Sequence, residues 1–257
     1  MMIRYIPADP AGNLTAIVLS PVAAQDRAKI AAEMMARCSE GFEQVGFADE
    51  MSLTGDLPTL CMMGGEFCGN ATRAFACYAA KVRGRGETRL AISVSGAREP
   101  VPVAVDLRQN RAYAQMPLPY ALEWISVNKQ KIPLVRMEGI DHALLLDAAP
   151  SPEAAERVLA AMPKQDARGV LFVQGGKMTP LVEVAATGTR VWESSCGSGT
   201  VALAWYLAQN LADGMHAFAF DEPGGRLEAR VAMRAERAAQ IEMGGAVKLG
   251  EEAEIEL

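Results

Sequence analysis

Histidine is almost missing from this chain. Its 257 residues include only His142 and His216, which leaves little material for an imidazole-based metal centre and disfavours a Cys–His hydrolase. The cysteines do not make up the shortage. Cys38, Cys61, Cys68, Cys77 and Cys196 include no pair at the two-residue spacing of a zinc knuckle or redox motif, so no metal is expected. Their odd number fits reduced thiols better than a disulfide framework. No apolar run is long enough to span a bilayer, and Met1-Met2-Ile3-Arg4-Tyr5 lacks the apolar core of a signal peptide. A cytoplasmic protein without a membrane partner is the default expectation. Basic residues do not gather in one run, and the formal charge of −6 argues against a nucleic-acid partner. What remains is ordinary: 50% hydrophobic and 22% charged residues, in a length that suits one large domain or two of common size.

Against this plain background one stretch occurs twice. Cys68-Gly69-Asn70-Ala71-Thr72 runs into an Ala-rich segment ending at Ala80, and Cys196-Gly197-Ser198-Gly199-Thr200 runs into another ending at Ala208. Laid in register, the copies share Cys, Gly, Thr, Ala, Ala, Tyr and Ala. Small polar residues feeding an apolar run predict a helix N-terminus, where backbone N–H groups have no earlier carbonyl to bond. A thiol there faces the positive end of the helix dipole, which favours its thiolate. Two such ends imply a pseudo-symmetric protein with paired thiols facing one cleft.

The chain between and around these copies reads as α+β. Strands are expected over Met2 to Ser20 about the turn Pro10-Ala11-Gly12-Asn13, over Glu43 to Phe47, Leu57 to Met63 and Thr88 to Met116, with a helix over Gln25 to Cys38. Met116-Pro117-Leu118-Pro119 marks a boundary, because two prolines interrupt strand and helix alike. Beyond it, strands are expected near Ile132 to Val135, Ala143 to Leu146, Val170 to Gln174, Leu181 to Ala185, Ala217 to Phe220 and Arg226 to Met233. Ser151-Pro152-Glu153 opens a helix to Met162, and Ser198 another to Leu211. Cys38 and Cys77 read as packing residues within helices. Asn13 is either a turn residue or a ligand-contacting amide. Glu251 to Glu256 reads as a solvated edge strand.

These motifs resemble the cofactor-independent amino-acid racemases of the diaminopimelate epimerase-like fold. The branch that catalyses histidine racemisation in opine-metallophore (staphylopine-type) biosynthesis is the most similar. Pro10 to Thr15, Glu43 to Phe47, Gly65 to Thr72, Trp192 to Thr200 and Pro223-Gly224-Gly225 carry the resemblance in order along most of the chain. It implies two halves, each with a mostly antiparallel sheet wrapped around a central helix and the active site in the cleft between them. The halves would be 1–117, with 248–257 returning to it, and 118–247. It implies no pyridoxal phosphate and no metal, a small amino-acid substrate, and a fold in which a homodimer can form. Cys68 and Cys196 become the catalytic thiols. Gly69, Asn70, Gly197 and Ser198 offer backbone N–H groups to the substrate α-carboxylate. Glu193 becomes the partner of the α-ammonium, against the alternative of a surface carboxylate at a strand end, and Asn13 and Gln44 border the substrate side chain. The competing readings are diaminopimelate epimerase or another epimerase of this fold, and a catalytically inactive amino-acid-binding protein. Retention of both cysteines argues against the last.

Racemisation needs one group to take the α-proton and another to return one on the opposite face, and two thiols can exchange these roles. A helix dipole worth up to ~2 kcal/mol lowers a thiol pKa by roughly 1.5, so a thiolate near neutral pH is expected. Diaminopimelate epimerase has an arginine after the glutamate that matches Glu193, and this chain has Ser194 there. A charge-assisted pair contributes ~1.5–3 kcal/mol, so a distal carboxylate should bind roughly ten- to a hundredfold more weakly here. Diaminopimelate should therefore be a poor substrate beside histidine. Faster epimerisation of diaminopimelate in a side-by-side assay would overturn the substrate assignment.

Overall fold

The computed structural model describes residues 1–185 and 188–257. The chain divides into two compact units, Met1–Gln115 with Gly244–Leu257, and Met116–Met243. In the first unit the strands are β1 (Met2–Asp9), β2 (Thr15–Val18), β3 (Gln44–Ala48), β4 (Thr59–Met62), β5 (Glu87–Val94), β6 (Val101–Asp106) and β7 (Arg111–Gln115). Its helices are α1 (Arg27–Arg37) and α2 (Gly69–Val82). The sheet is mixed. β1–β2, β3–β4, β5–β6 and β6–β7 are antiparallel, whereas β2–β3 and β4–β5 are parallel. The parallel pairs need crossovers, which α1 and α2 supply.

Helix α2 is buried along almost its whole length. Ala71, Ala74, Ala76, Ala79 and Ala80 let the surrounding strands approach closely, and Phe75 fills the space they leave against Ile17, Leu60, Ile92 and Val103. The other face of β1–β3 is covered by α1, whose Ile30, Ala31 and Met34 recur at helical spacing.

The second unit has strands β8 (Ala121–Val127), β9 (Gln130–Arg136), β10 (Ile140–Leu146), β11 (Ala167–Gln174), β12 (Lys177–Val184), β13 (Thr189–Trp192), β14 (Gly214–Glu222), β15 (Gly225–Arg234) and most of β16 (Arg237–Ala246), whose residues from Gly244 on belong to the first unit. Its helices are α3 (Pro152–Ala161) and α4 (Gly197–Ala208). The Ser151 side chain caps α3 by accepting from the Ala154 N–H, and Pro152 sits where a missing N–H costs nothing. Parallel β10–β11 is bridged by α3, while β8–β9, β9–β10, β11–β12, β12–β13 and β14–β15 are antiparallel. Helix α4 is apolar on nearly every side and packs on β10, β14 and β15. β13 was not legible as a strand, because all four of its residues are exposed and no alternation marks it.

The end of the chain rejoins the first unit. β17 (Lys248–Leu249) and β18 (Ala253–Glu256) both pair antiparallel with β1. The return begins at Gly244, a few residues before Lys248, and the forward break falls after Gln115, just ahead of the proline pair. Among the described residues, no helix is long and apolar enough to cross a membrane.

Arg73 is fully buried in α2 and binds separate segments of the first unit together. Its guanidinium donates to the carbonyls of Pro10 at 3.3 Å, Ala112 at 3.4 Å and Gly245 at 3.2 Å, and to Asn70 Oδ1 at 2.8 Å. Each buried carbonyl left without a donor costs ~1–3 kcal/mol. Arg73→Leu should therefore lower the unfolding free energy by several kcal/mol, read from the urea midpoint, and Arg73→Lys should lower it less. A loss below about 1 kcal/mol for Arg73→Leu would show that these carbonyls find other partners.

Candidate active site

Both cysteines of the repeated stretch are helix N-caps with nearly the same extended backbone. Cys68 opens α2 at φ −127°, ψ 113°, and Cys196 opens α4 at φ −123°, ψ 102°. Each carbonyl accepts the first helical N–H, from Thr72 at 3.0 Å and from Thr200 at 2.9 Å. The repeat in the sequence is thus a repeat in backbone geometry.

The side chains around the two thiols differ. In the first unit the Cys68 sulfur accepts from the Ala71 N–H at 3.5 Å, and the Thr72 hydroxyl donates to the Cys68 carbonyl at 2.7 Å. The buried Gln44 amide lies against this sulfur and donates to Asn13 Oδ1 and Thr15 Oγ1, both at 2.7 Å. Asn13 donates in turn to Glu43 at 2.9 Å. The turn bearing Asn13 passes through left-handed backbone at Ala11, φ 67°, and Gly12, φ 94°. Its end is pinned by the Gly12 N–H to Asp9 Oδ1, 2.6 Å, and by Arg73 on Pro10. Asn13, Gln44, Gly69, Asn70 and Cys68 thereby meet in one place. The Asn70 side chain, expected to lend only its backbone, is held by Arg73.

In the second unit the Cys196 side chain takes no part in capping. A carboxylate binds the backbone just ahead of the helix. Glu222, at the end of β14, accepts the Cys196 N–H at 2.6 Å and the Thr200 hydroxyl at 2.6 Å. The Glu222 turn is held to the Cys196 segment by the Gly224 N–H donating to the Ser194 carbonyl at 2.7 Å. The Cys196 sulfur is left beside Ser198 Oγ, 3.5 Å away, and hydrogen-bonded to Glu193. Ser198 Oγ also meets His142 Nε2 at 2.9 Å. The imidazole lies against Gly169, where a Cβ would stand 2.1 Å from Nδ1, so only glycine admits it. Gly199 is similarly confined: its Cβ would stand 2.9 Å from Leu171 and 3.3 Å from the Cys196 sulfur. Glu193, Cys196, Gly197 and Ser198 are thus brought together, with Ser198 contributing its hydroxyl as well as its backbone.

The electrostatics correct one expectation. Neither thiol is activated by its helix alone. Burial pushes the Cys68 thiol up. The N–H of Ala71, the Gln44 amide and the N–H of Asn70 oppose the rise, while Glu66 adds to it. Burial pushes Cys196 well above the ordinary range, the charges of Glu193 and Glu222 push it further, and only Ser198 pulls the other way. The dipole argument omitted the loss of water around the sulfur, which raises both thiols. His142 is held down to about 3 by burial, so its ring is neutral.

Glu222 and His142 were not foreseen as site residues. Glu222 lies 26 residues from Cys196 in a segment that reads simply as a turn, and His142 lies 56 residues from Ser198. Among the described residues, no cluster of three His, Cys, Asp or Glu side chains could hold a metal ion.

Comparison with known proteins places this fold first by class. It is similar over its whole length to a PhzF-family phenazine biosynthesis protein of Bacillus anthracis (TM-score 0.72, 16% identity, 100% of each chain). It is also similar to a hydroxyproline epimerase of Agrobacterium vitis (TM-score 0.64, 12% identity, 99% of this chain and 92% of that one). The fold is therefore one that these proteins share. A family model described as the histidine racemase CntK N-terminal domain matches residues 2–255. A histidine racemase of Fusobacterium nucleatum is 31% identical over 221 residues, covering 80% of this chain and 81% of that protein. The histidine racemase of Staphylococcus aureus is 25% identical over 239 residues, 88% of this chain and 87% of that one. The chain belongs to the histidine racemase family.

His142 gives the second unit a measurable pH dependence. Its folded pKa of about 3 lies below the unfolded value of ~6.5. Below pH ~6.5 the unfolded chain takes up a proton that the native ring refuses, so stability is full above that pH and lost as pH falls toward 3. At about 1.4 kcal/mol per unit, going down to about pH 5 costs roughly 2 kcal/mol. The urea midpoint should fall over this range in the native chain and fall less in His142→Gln. Equal slopes in the two proteins would show that His142 takes up its proton while folded.

Proposed function

We propose that this chain interconverts L- and D-histidine without pyridoxal phosphate or metal, on a diaminopimelate epimerase-like fold. The observation that carries the reading is the pair of cysteines, Cys68 and Cys196, each at the N-cap position of a buried helix in a member of the histidine racemase family. One sulfur, as thiolate, takes the α-proton. The other, as thiol, delivers its proton to the opposite face of the carbon, and the two sulfurs end with their protonation states exchanged. The carbanionic charge passes into the substrate carboxylate. Backbone N–H groups at Gly69, Asn70, Gly197 and Ser198 receive it, as pre-aimed donors that need no reorganisation. Glu193 receives the α-ammonium, and Asn13 and Gln44 border the imidazole.

The reading extends to a cytoplasmic enzyme supplying D-histidine to opine-metallophore synthesis. Diaminopimelate epimerisation is the weaker reading, because Ser194 offers no charge to a distal carboxylate.

Chiral chromatography of L-histidine incubated with the protein in deuterated water should show D-histidine carrying deuterium at the α-carbon. Cys68→Ser and Cys196→Ser should each slow racemisation by about 10²–10⁴-fold while leaving the far-UV circular dichroism unchanged. Full racemisation by either variant would remove that sulfur from the mechanism, and the absence of D-histidine with the native chain would refute the substrate.

A further inference from the structure

The two thiol-bearing helix ends share a backbone and differ in what satisfies their free N–H groups. At α2 the Cys68 sulfur itself sits in the cradle and accepts from Ala71. At α4 no side chain of the N-cap accepts such a bond, and Glu222 takes the N–H of Cys196 itself and the Thr200 hydroxyl at 2.6 Å each. Thr72, the residue matching Thr200, sends its hydroxyl to the Cys68 carbonyl instead. The Cys196 sulfur stays at the start of its helix, against Gly199, and the carboxylate bound to its own N–H adds negative charge beside it.

We propose that Glu222 is a positioning residue that keeps the Cys196 sulfur protonated in the enzyme before substrate arrives, so that Cys68 is the sulfur that ionises. The proposal deepens the two-thiol reading and rests on it. The groups facing Cys196 are the carboxylates of Glu193, from the preceding segment, and Glu222, from β14. Ser198 faces it from α4, with the neutral ring of His142 behind that hydroxyl. Both carboxylates favour S–H. Facing Cys68 are the Gln44 amide from β3, the N–H groups of Asn70 and Ala71, and one carboxylate, Glu66. Three donors against a single acid favour the thiolate there. The resting enzyme is then matched to one hand of substrate, the one whose α-hydrogen meets Cys68. The reverse reaction begins from the enzyme form with the proton moved.

The test reads each sulfur separately. The native chain without substrate is treated with iodoacetamide over a pH series, and the extent of alkylation at each cysteine is followed by peptide mass spectrometry. The pH midpoint reports ionisation and is insensitive to how well the reagent reaches each sulfur. Cys68 should show the lower midpoint. Glu222→Gln keeps an acceptor at the cap and removes the charge. It should lower the Cys196 midpoint, raise Cys196 alkylation at neutral pH on the order of tenfold, and leave Cys68 where it was. Where E222Q does not fold, E222D draws the carboxylate back by one methylene and should lower the Cys196 midpoint part of the way. A native Cys196 midpoint at or below that of Cys68 would overturn the proposal. So would a Glu222 variant that leaves the Cys196 midpoint in place or moves both midpoints equally. Alkylation needs no turnover, so failure of the histidine assay and failure of this assignment are separate results.

Discussion

A helix begins with backbone N–H groups that no earlier carbonyl can accept, and a buried helix cannot leave them to water. Much of this protein follows from that constraint. Helices α2 and α4 are both buried along most of their length. Their N-terminal ends must therefore be satisfied by side chains, or by a ligand that brings its own acceptors. A substrate carboxylate is such a ligand. The same donors that stabilise the fold are the ones that would hold a carboxylate as charge builds on it.

Water is the second half of the argument. Excluding it strengthens every contact a substrate would make, and at the same time raises the cost of an ionised sulfur. The protein meets this opposition unequally. Around Cys68 it arranges donors, the Gln44 amide foremost among the side chains, and Gln44 is itself locked by Asn13 and Thr15. Around Cys196 it arranges acids. Pseudo-symmetry of the backbone thus coexists with asymmetry of charge.

The main helices and most strands could be read from spacing alone. Leu90, Ile92 and Val94 alternate as a half-buried strand does, and Ser151-Pro152-Glu153 has the chemistry of a helix start. β8 and β13 escaped because their residues are largely exposed, and a strand without a buried face has no alternation to show. The family resemblance rested on short motifs, and apart from Glu43 to Phe47 on β3 those motifs lie at or beside helix caps and turns, where local chemistry dictates the residue. Glu222 and His142 act across 26 and 56 residues, and no local pattern records a partner so distant. The weight of burial on the thiols escaped for the same reason, since it is a property of everything packed around them. Arg73 did leave a trace. An arginine three residues after Asn70, inside an Ala-rich run, is out of place unless its charge has a buried use.

The return of the chain to β1 orders events during synthesis. Residues 1–115 leave the ribosome first, yet their unit lacks β17, β18 and the Gly245 carbonyl that Arg73 uses until the last residues have been made. The second unit is one continuous segment, Met116 to Met243. Vectorial synthesis therefore favours completion of the later unit before the earlier one. In the interval β1 presents an unpaired edge, the kind of surface on which unfinished chains associate.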